Sequence, residues 1–78
     1  MSPIKRNKRT NDMASYYVNN RAQTNGDHEV HAQSCSYLPS ERTYLGEHAT
    51  CSTAVSAARV HYTQVNGCYW CSRTCHTS

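Results

Sequence analysis

Aliphatic side chains are too scarce in this sequence for an apolar core to hold a fold unaided. Leucine, isoleucine and valine together number eight: Ile4, Val18, Val30, Leu38, Leu45, Val55, Val60 and Val65. Phenylalanine is absent. That is about a tenth of the chain, below the level of about a fifth at which order becomes hard to sustain. Seventy-eight residues make one domain, and a chain of that size buries only about 60% of its unfolded surface. At roughly 25 cal/mol per Å² of apolar surface, burial barely offsets chain entropy. Trp70 and six tyrosines add ring area, but indole and phenol carry polar groups that need partners. A staple is required.

Five cysteines and five histidines can supply it. The cysteines are Cys35, Cys51, Cys68, Cys71 and Cys75. They amount to about 6% of the chain, short of the roughly 8–10% of disulfide scaffolds. An odd count would leave one thiol over from a disulfide framework. The N-terminal stretch has no apolar segment behind its basic residues, no run approaches a membrane span, and no Asn-x-Ser/Thr acceptor occurs. These features point to a reducing cytoplasm, where clustered cysteines serve as metal ligands.

The spacing is more informative than the count. His31-x3-Cys35 and Cys68-x2-Cys71 are two close pairs separated by a strand and a helix, the plan of a tetrahedral zinc site. A C-x2-C knuckle aims two thiolates at one ion while backbone amides donate to the sulfurs. Zinc contributes folding free energy directly, on the order of 10 kcal/mol in small modules. The two pairs offer His31, Cys35, Cys68 and Cys71 as ligands, and a set of Cys35, Cys68, Cys71 and Cys75 is also chemically reasonable. Cys75 and His76 form a further pair beside the knuckle and are alternative ligands. Cys51 is open to three readings: a buried thiol at a helix start, a ligand, or half of a bridge to Cys75.

Local patterns place these residues in a small α+β domain. Tyr16-Tyr17-Val18, Glu29-Val30-His31-Ala32 and Arg42-Thr43-Tyr44-Leu45 predict three short strands. Asn25-Gly26-Asp27 signals a turn between the first two, and Gly46 stops the third. The expected sheet is a three-stranded antiparallel meander. Residues 51–63 predict one helix, capped by Thr50 and ended by Asn66-Gly67, with Val55, Ala58, Tyr62 and Val65 at helical spacing. The C-terminal cysteine knuckle follows. Residues 1–13 read as a flexible basic tail and 14–78 as the single domain.

Other chemistries fare less well. Lys5, Arg6, Lys8 and Arg9 against Asp12 give residues 1–12 a balance of +3, while the remaining residues are neutral and lysine-free. Nucleic acid would therefore be met by that arm alone. Cys68-Tyr69-Trp70-Cys71 follows a helix, not the strand that precedes a thioredoxin-type dithiol. Asp27-His28-Glu29 with His31 is a conceivable cluster. On a strand, however, Glu29 and His31 share one face and His28 takes the other, which suits a surface or turn residue. His48 and His61 stand alone. No serine has a base and orienting acid nearby, and three glycines form no phosphate loop.

The segments YYVN, NGDHEVH, the LP after the first cysteine, YLG and the ending GC-x2-C-x3-CHTS together resemble a family of short bacterial proteins with no assigned activity. The order H-x3-C, strand, helix, C-x2-C also resembles the N-terminal metal-binding domain of the Ada methyl-transfer repair protein. That likeness implies zinc held by His31, Cys35, Cys68 and Cys71. In the Ada family the first ligand is a methyl-accepting cysteine. His31 stands in its place and cannot accept the group, so the likeness implies a structural site and not methyl transfer. The function expected is a zinc-stapled protein-interaction module without catalysis, with Tyr69 and Trp70 as contacts or as covers of the knuckle. The alternatives are nucleic-acid binding through the basic arm, and a thiol redox or methyl-accepting enzyme.

Overall fold

A computed structural model describes residues 13–77. Lys5, Arg6, Lys8 and Arg9, with the rest of the expected basic tail before Met13, lie outside the described residues. The elements run β1 (Ala14–Asn19), β2 (His28–Ala32), β3 (Arg42–His48), α1 (Cys51–Ala58), β4 (Val65–Gly67) and a 3-10 turn (Arg73–Cys75). The domain is α+β, as expected, but the sheet has four strands and is mixed. Its order is β3-β1-β2-β4. β1 lies in the interior, antiparallel to both β2 and β3, so the sheet is not a simple meander. β4 pairs with β2 in parallel, with Val65, Asn66 and Gly67 opposite His28, Glu29 and Val30.

Helix α1 covers one face of the sheet. Its buried residues are Cys51, Ala54, Val55 and Ala58, spaced i, i+3, i+4 and i+7 along one stripe. They pack against Tyr16, Val18 and Val30, with Leu45, Tyr62, Val65 and Cys75 closing the edges. Val18 and Val30 are completely buried, each worth about 1.5–3 kcal/mol relative to exposure. Small alanines let the helix sit close to the sheet.

The helix is shorter than its apolar periodicity suggested. It stops at Ala58, and Tyr62 and Val65 reach the core from the following turn and from β4. Thr50 occupies the N-cap with extended backbone but makes no side-chain capping bond. Instead, Thr53 Oγ1 donates to the Thr50 carbonyl at 3.3 Å. Gly46 does not stop β3. The strand continues to His48 through a bulge, with Tyr16 opposite Gly46 and Tyr17 opposite Tyr44. Gly46 has φ +95°, a conformation that suits glycine and adds the kink.

Gly67 also departs from its expected role as a left-handed helix stop, for it belongs to β4. Its lack of a side chain serves close packing instead. A Cβ there would lie 2.7 Å from Cys75 Cβ and 2.8 Å from the Ser72 carbonyl oxygen. Replacing Gly67 with alanine is therefore expected to cost about 1–3 kcal/mol through overpacking. In a domain of this size that lowers the unfolding midpoint by several degrees, on the scale of about 4–8 °C per kcal/mol. Thermal unfolding followed by circular dichroism checks this; an unchanged midpoint contradicts the packing argument.

Candidate metal centre

The parallel pairing of β2 and β4 builds the site. Parallel neighbours leave the sheet at the same end, so the segments after both strands emerge side by side. β2 leads through the turn at 33–34 to Cys35, and β4 leads directly into Cys68. The ladder continues one step past β4, with the Cys68 amide donating to the Val30 carbonyl at 3.0 Å. Alternation along β2 places Val30 in the helix-facing core and turns Glu29 and His31 to the other face.

His31, Cys35, Cys68 and Cys71 converge there. One ligand atom from each lies within 4.8 Å of the others. Cys35 Sγ and Cys68 Sγ are 3.9 Å apart, and Cys71 Sγ is 4.0 Å from His31 Nδ1. In a zinc tetrahedron with Zn–S of about 2.3 Å and Zn–N of about 2.0–2.1 Å, the S···S and S···N edges are roughly 3.8 and 3.6 Å. The sulfurs are thus too far apart for bridges and close to the spacing of a metal polyhedron. This set of three thiols and one imidazole can hold a metal ion.

Backbone amides point at the three sulfurs, while burial favours a neutral imidazole and protonated Cys35 and Cys68 thiols in the absence of metal. The Tyr37 amide donates to Cys35 Sγ at 3.4 Å, the Trp70 amide to Cys68 Sγ at 3.4 Å, and the Ala32 amide to Cys71 Sγ at 3.3 Å. Two of these amides lie two residues after the sulfur they serve, the local geometry of a knuckle. His31 is 2% exposed, and burial lowers its pKa because the charged ring is poorly solvated. Its Nε2 lies 3.4 Å from Glu29 Oε1. A carboxylate behind a ligating histidine fixes the tautomer and raises ligand basicity. Burial raises the pKa of Glu29 as well. Burial and the neighbouring sulfurs push the Cys35 thiol up to about 12, and burial also raises Cys68.

The alternative ligands go elsewhere. Cys75 is bonded to Cys51 in a disulfide, so of the three readings open for Cys51 the structure shows the bridge, and neither residue supplies a thiolate. Such bridges are rare in the reducing compartment expected from the sequence. His76 Nδ1 pairs with the Gly67 carbonyl at 2.9 Å. The Asp27-His28-Glu29-His31 group divides. Asp27 accepts from Gln64 Nε2 at 2.8 Å and from Asn66 Nδ2 at 3.2 Å. His28, half-buried at the start of β2 and not in a turn, stacks on Tyr62 with ring centroids 3.7 Å apart. Glu29 alone stays with His31. Their i, i+2 spacing on a strand was the available signal. His48 is not isolated either, since its ring meets Thr53 Oγ1 and the Leu45 carbonyl, each at 2.9 Å.

Exposed aromatic side chains cluster beside the knuckle. Trp70 is 66% exposed and Tyr37 59%. Their rings stack at 5.8 Å, Tyr69 meets Trp70 edge-on at 4.9 Å, and the Arg73 guanidinium lies 4.7 Å over Tyr69. No helix among the described residues is long and apolar enough to cross a membrane. Comparison with protein-family models, with curated proteins and with solved structures finds no match to this chain.

Proposed function

We propose that the chain is a small zinc-binding protein-interaction module without catalytic activity, its ion held by His31, Cys35, Cys68 and Cys71. The observation that carries this reading is the convergence of the four ligand atoms within 4.8 Å. Three soft thiolates and one imidazole suit zinc and are foreign to magnesium or calcium, which take oxygen ligands. The Ada-type likeness in ligand order supports the same assignment, and His31 in place of a methyl-accepting cysteine supports a structural role. A cytoplasmic setting belongs to this proposal.

The interaction surface follows from the metal centre. Tyr37 and Trp70 are the residues whose backbone amides hold the Cys35 and Cys68 sulfurs. Their rings are exposed and stacked on each other. An ion that fixes those sulfurs also fixes the backbone from which the rings project, and rigid exposed aromatics are frequent interface anchors. Loss of metal would release both rings from their relative positions.

Metal analysis of the purified protein is expected to find one zinc per chain, and a metal-free preparation that is equally folded would sink the proposal. Glu29→Gln, which leaves every ligand in place, is expected to weaken zinc about 10–100-fold in a chelator competition, and Cys68→Ser to weaken it further. The pH dependence has a definite sign. With Cys35 and Cys68 raised above their ordinary range, both thiols are protonated at neutral pH without metal. Zinc binding therefore releases at least those two protons, and affinity climbs with pH. Calorimetry in buffers of different ionisation enthalpy counts the protons; fewer than two contradicts the ligand set. For the interaction itself, a partner identified by cross-linking to the wild type should be lost from Tyr37→Ala/Trp70→Ala, which keeps its zinc. It should also be lost from metal-stripped protein.

A further inference from the structure

The zinc centre leaves two cysteines unused, and the structure joins them. Cys51 opens α1 and Cys75 closes the 3-10 turn, 24 positions further along the chain. The loop closed by this bridge contains α1, β4 and both knuckle ligands, Cys68 and Cys71. The bridge also presses directly on the knuckle. Cys75 Cβ packs against Gly67, the residue before Cys68, so closely that no Cβ fits between them. The Cys75 amide donates to the Ser72 carbonyl, and the Ser72 amide donates to the Cys68 carbonyl, each at 2.9 Å. Ser72 is buried and follows Cys71 directly.

From this geometry we infer that the Cys51–Cys75 bridge is a reducible site coupled to the metal centre: closing it tightens metal binding, and bound metal stabilises it against thiol reductants. The inference rests on the zinc reading of the four-residue cluster. Opening the bridge restores conformational freedom to the segment that must present Cys68 and Cys71 together, so binding must then order it. Coupling between two binding equilibria is reciprocal, so the factor by which the bridge tightens zinc is the factor by which zinc resists reduction. The reactant is a small thiol. Cys75 is half-buried and Cys51 buried, so the incoming thiolate attacks the Cys75 sulfur. The S–S bond breaks, Cys51 leaves as a thiolate and takes a proton, and Cys75 is held as a mixed disulfide. A second thiol attacks the reductant's sulfur in that adduct and frees Cys75. Two electrons pass to the protein and the two small thiols become one disulfide. In a reducing compartment the bridge would thus form under oxidative conditions and strengthen zinc retention when it did.

The test compares zinc affinity, by competition with a chromophoric chelator, in the bridged wild type and in Cys51→Ser/Cys75→Ser. Affinity at least tenfold weaker in the variant is expected. Equal affinities overturn the coupling and leave the zinc reading standing; no zinc on either protein overturns the zinc reading itself. Because the variant could fold poorly, the zinc-loaded wild type is also titrated through glutathione buffers of decreasing potential. Bridge opening is followed by alkylation and mass spectrometry, and free zinc by an indicator. Zinc release to a weak chelator that tracks bridge opening supports the coupling. Zinc fully retained after both Cys51 and Cys75 become alkylatable refutes it.

Discussion

The parallel pairing of β4 against β2 is the contact on which the rest of this structure depends. It is only three residues long, yet it decides where the cysteines meet. Antiparallel pairing would send the segment after β4 to the far end of β2, away from His31 and Cys35. Parallel pairing sends both segments out together. The cost is a long connection, because parallel strands cannot be joined by a tight turn. Helix α1 lies within that connection and covers the sheet face that holds Tyr16, Val18 and Val30. One element thus supplies the core and returns the chain to the metal centre.

A three-residue edge strand is a weak support by itself, and the molecule reinforces it from several directions. Asn66 donates from Nδ2 to the Thr77 carbonyl at 2.6 Å and accepts the Thr77 amide at Oδ1 at 2.9 Å. His76 meets the Gly67 carbonyl. The Cys51–Cys75 bridge ties the same C-terminal segment to the start of α1. The chain end therefore folds back over β4 and holds it from outside, while β2 holds it from inside. In a domain with so few aliphatic residues, such polar and covalent ties take the place of a thicker core.

Cysteine is used here in two chemically separate ways. Cys51 and Cys75 pair covalently beside the helix, whereas Cys35, Cys68 and Cys71 stay unbridged around His31. Position enforces the separation. The bridge lies at the core's edge, where Cys75 packs on the hydrophobic cluster. The other sulfurs lie beyond the sheet's end, each facing a backbone amide. Those amides favour thiolates, and a metal would complete what they begin. The aromatic rings of Tyr37 and Trp70 then stand outside the cluster on the backbone that its sulfurs anchor.

Much of the site was legible in residue order. Two Cys/His pairs at ligand spacing, flanking a strand and a helix, pointed to the four side chains that the fold brings together. The α+β class and three of the strands could be read from β-prone runs and a turn signal, and the helix start from its apolar stripe. The remaining features rest on contacts distant in sequence. Val65-Asn66-Gly67 has no strand pattern of its own and becomes β4 only because β2 offers an open edge. The helix ends at Ala58 because the chain must turn back to reach that edge, although its periodicity runs on. Gly46 and Gly67 look alike as breakers, yet one makes a bulge and the other admits Cys75. Glu29 gains its place behind His31 from strand alternation once β2 is seated. The fate of Cys51 and Cys75 was open for the same reason. Spacing along a chain reports which residues are near neighbours in sequence, and only the folded backbone decides which distant sulfurs meet.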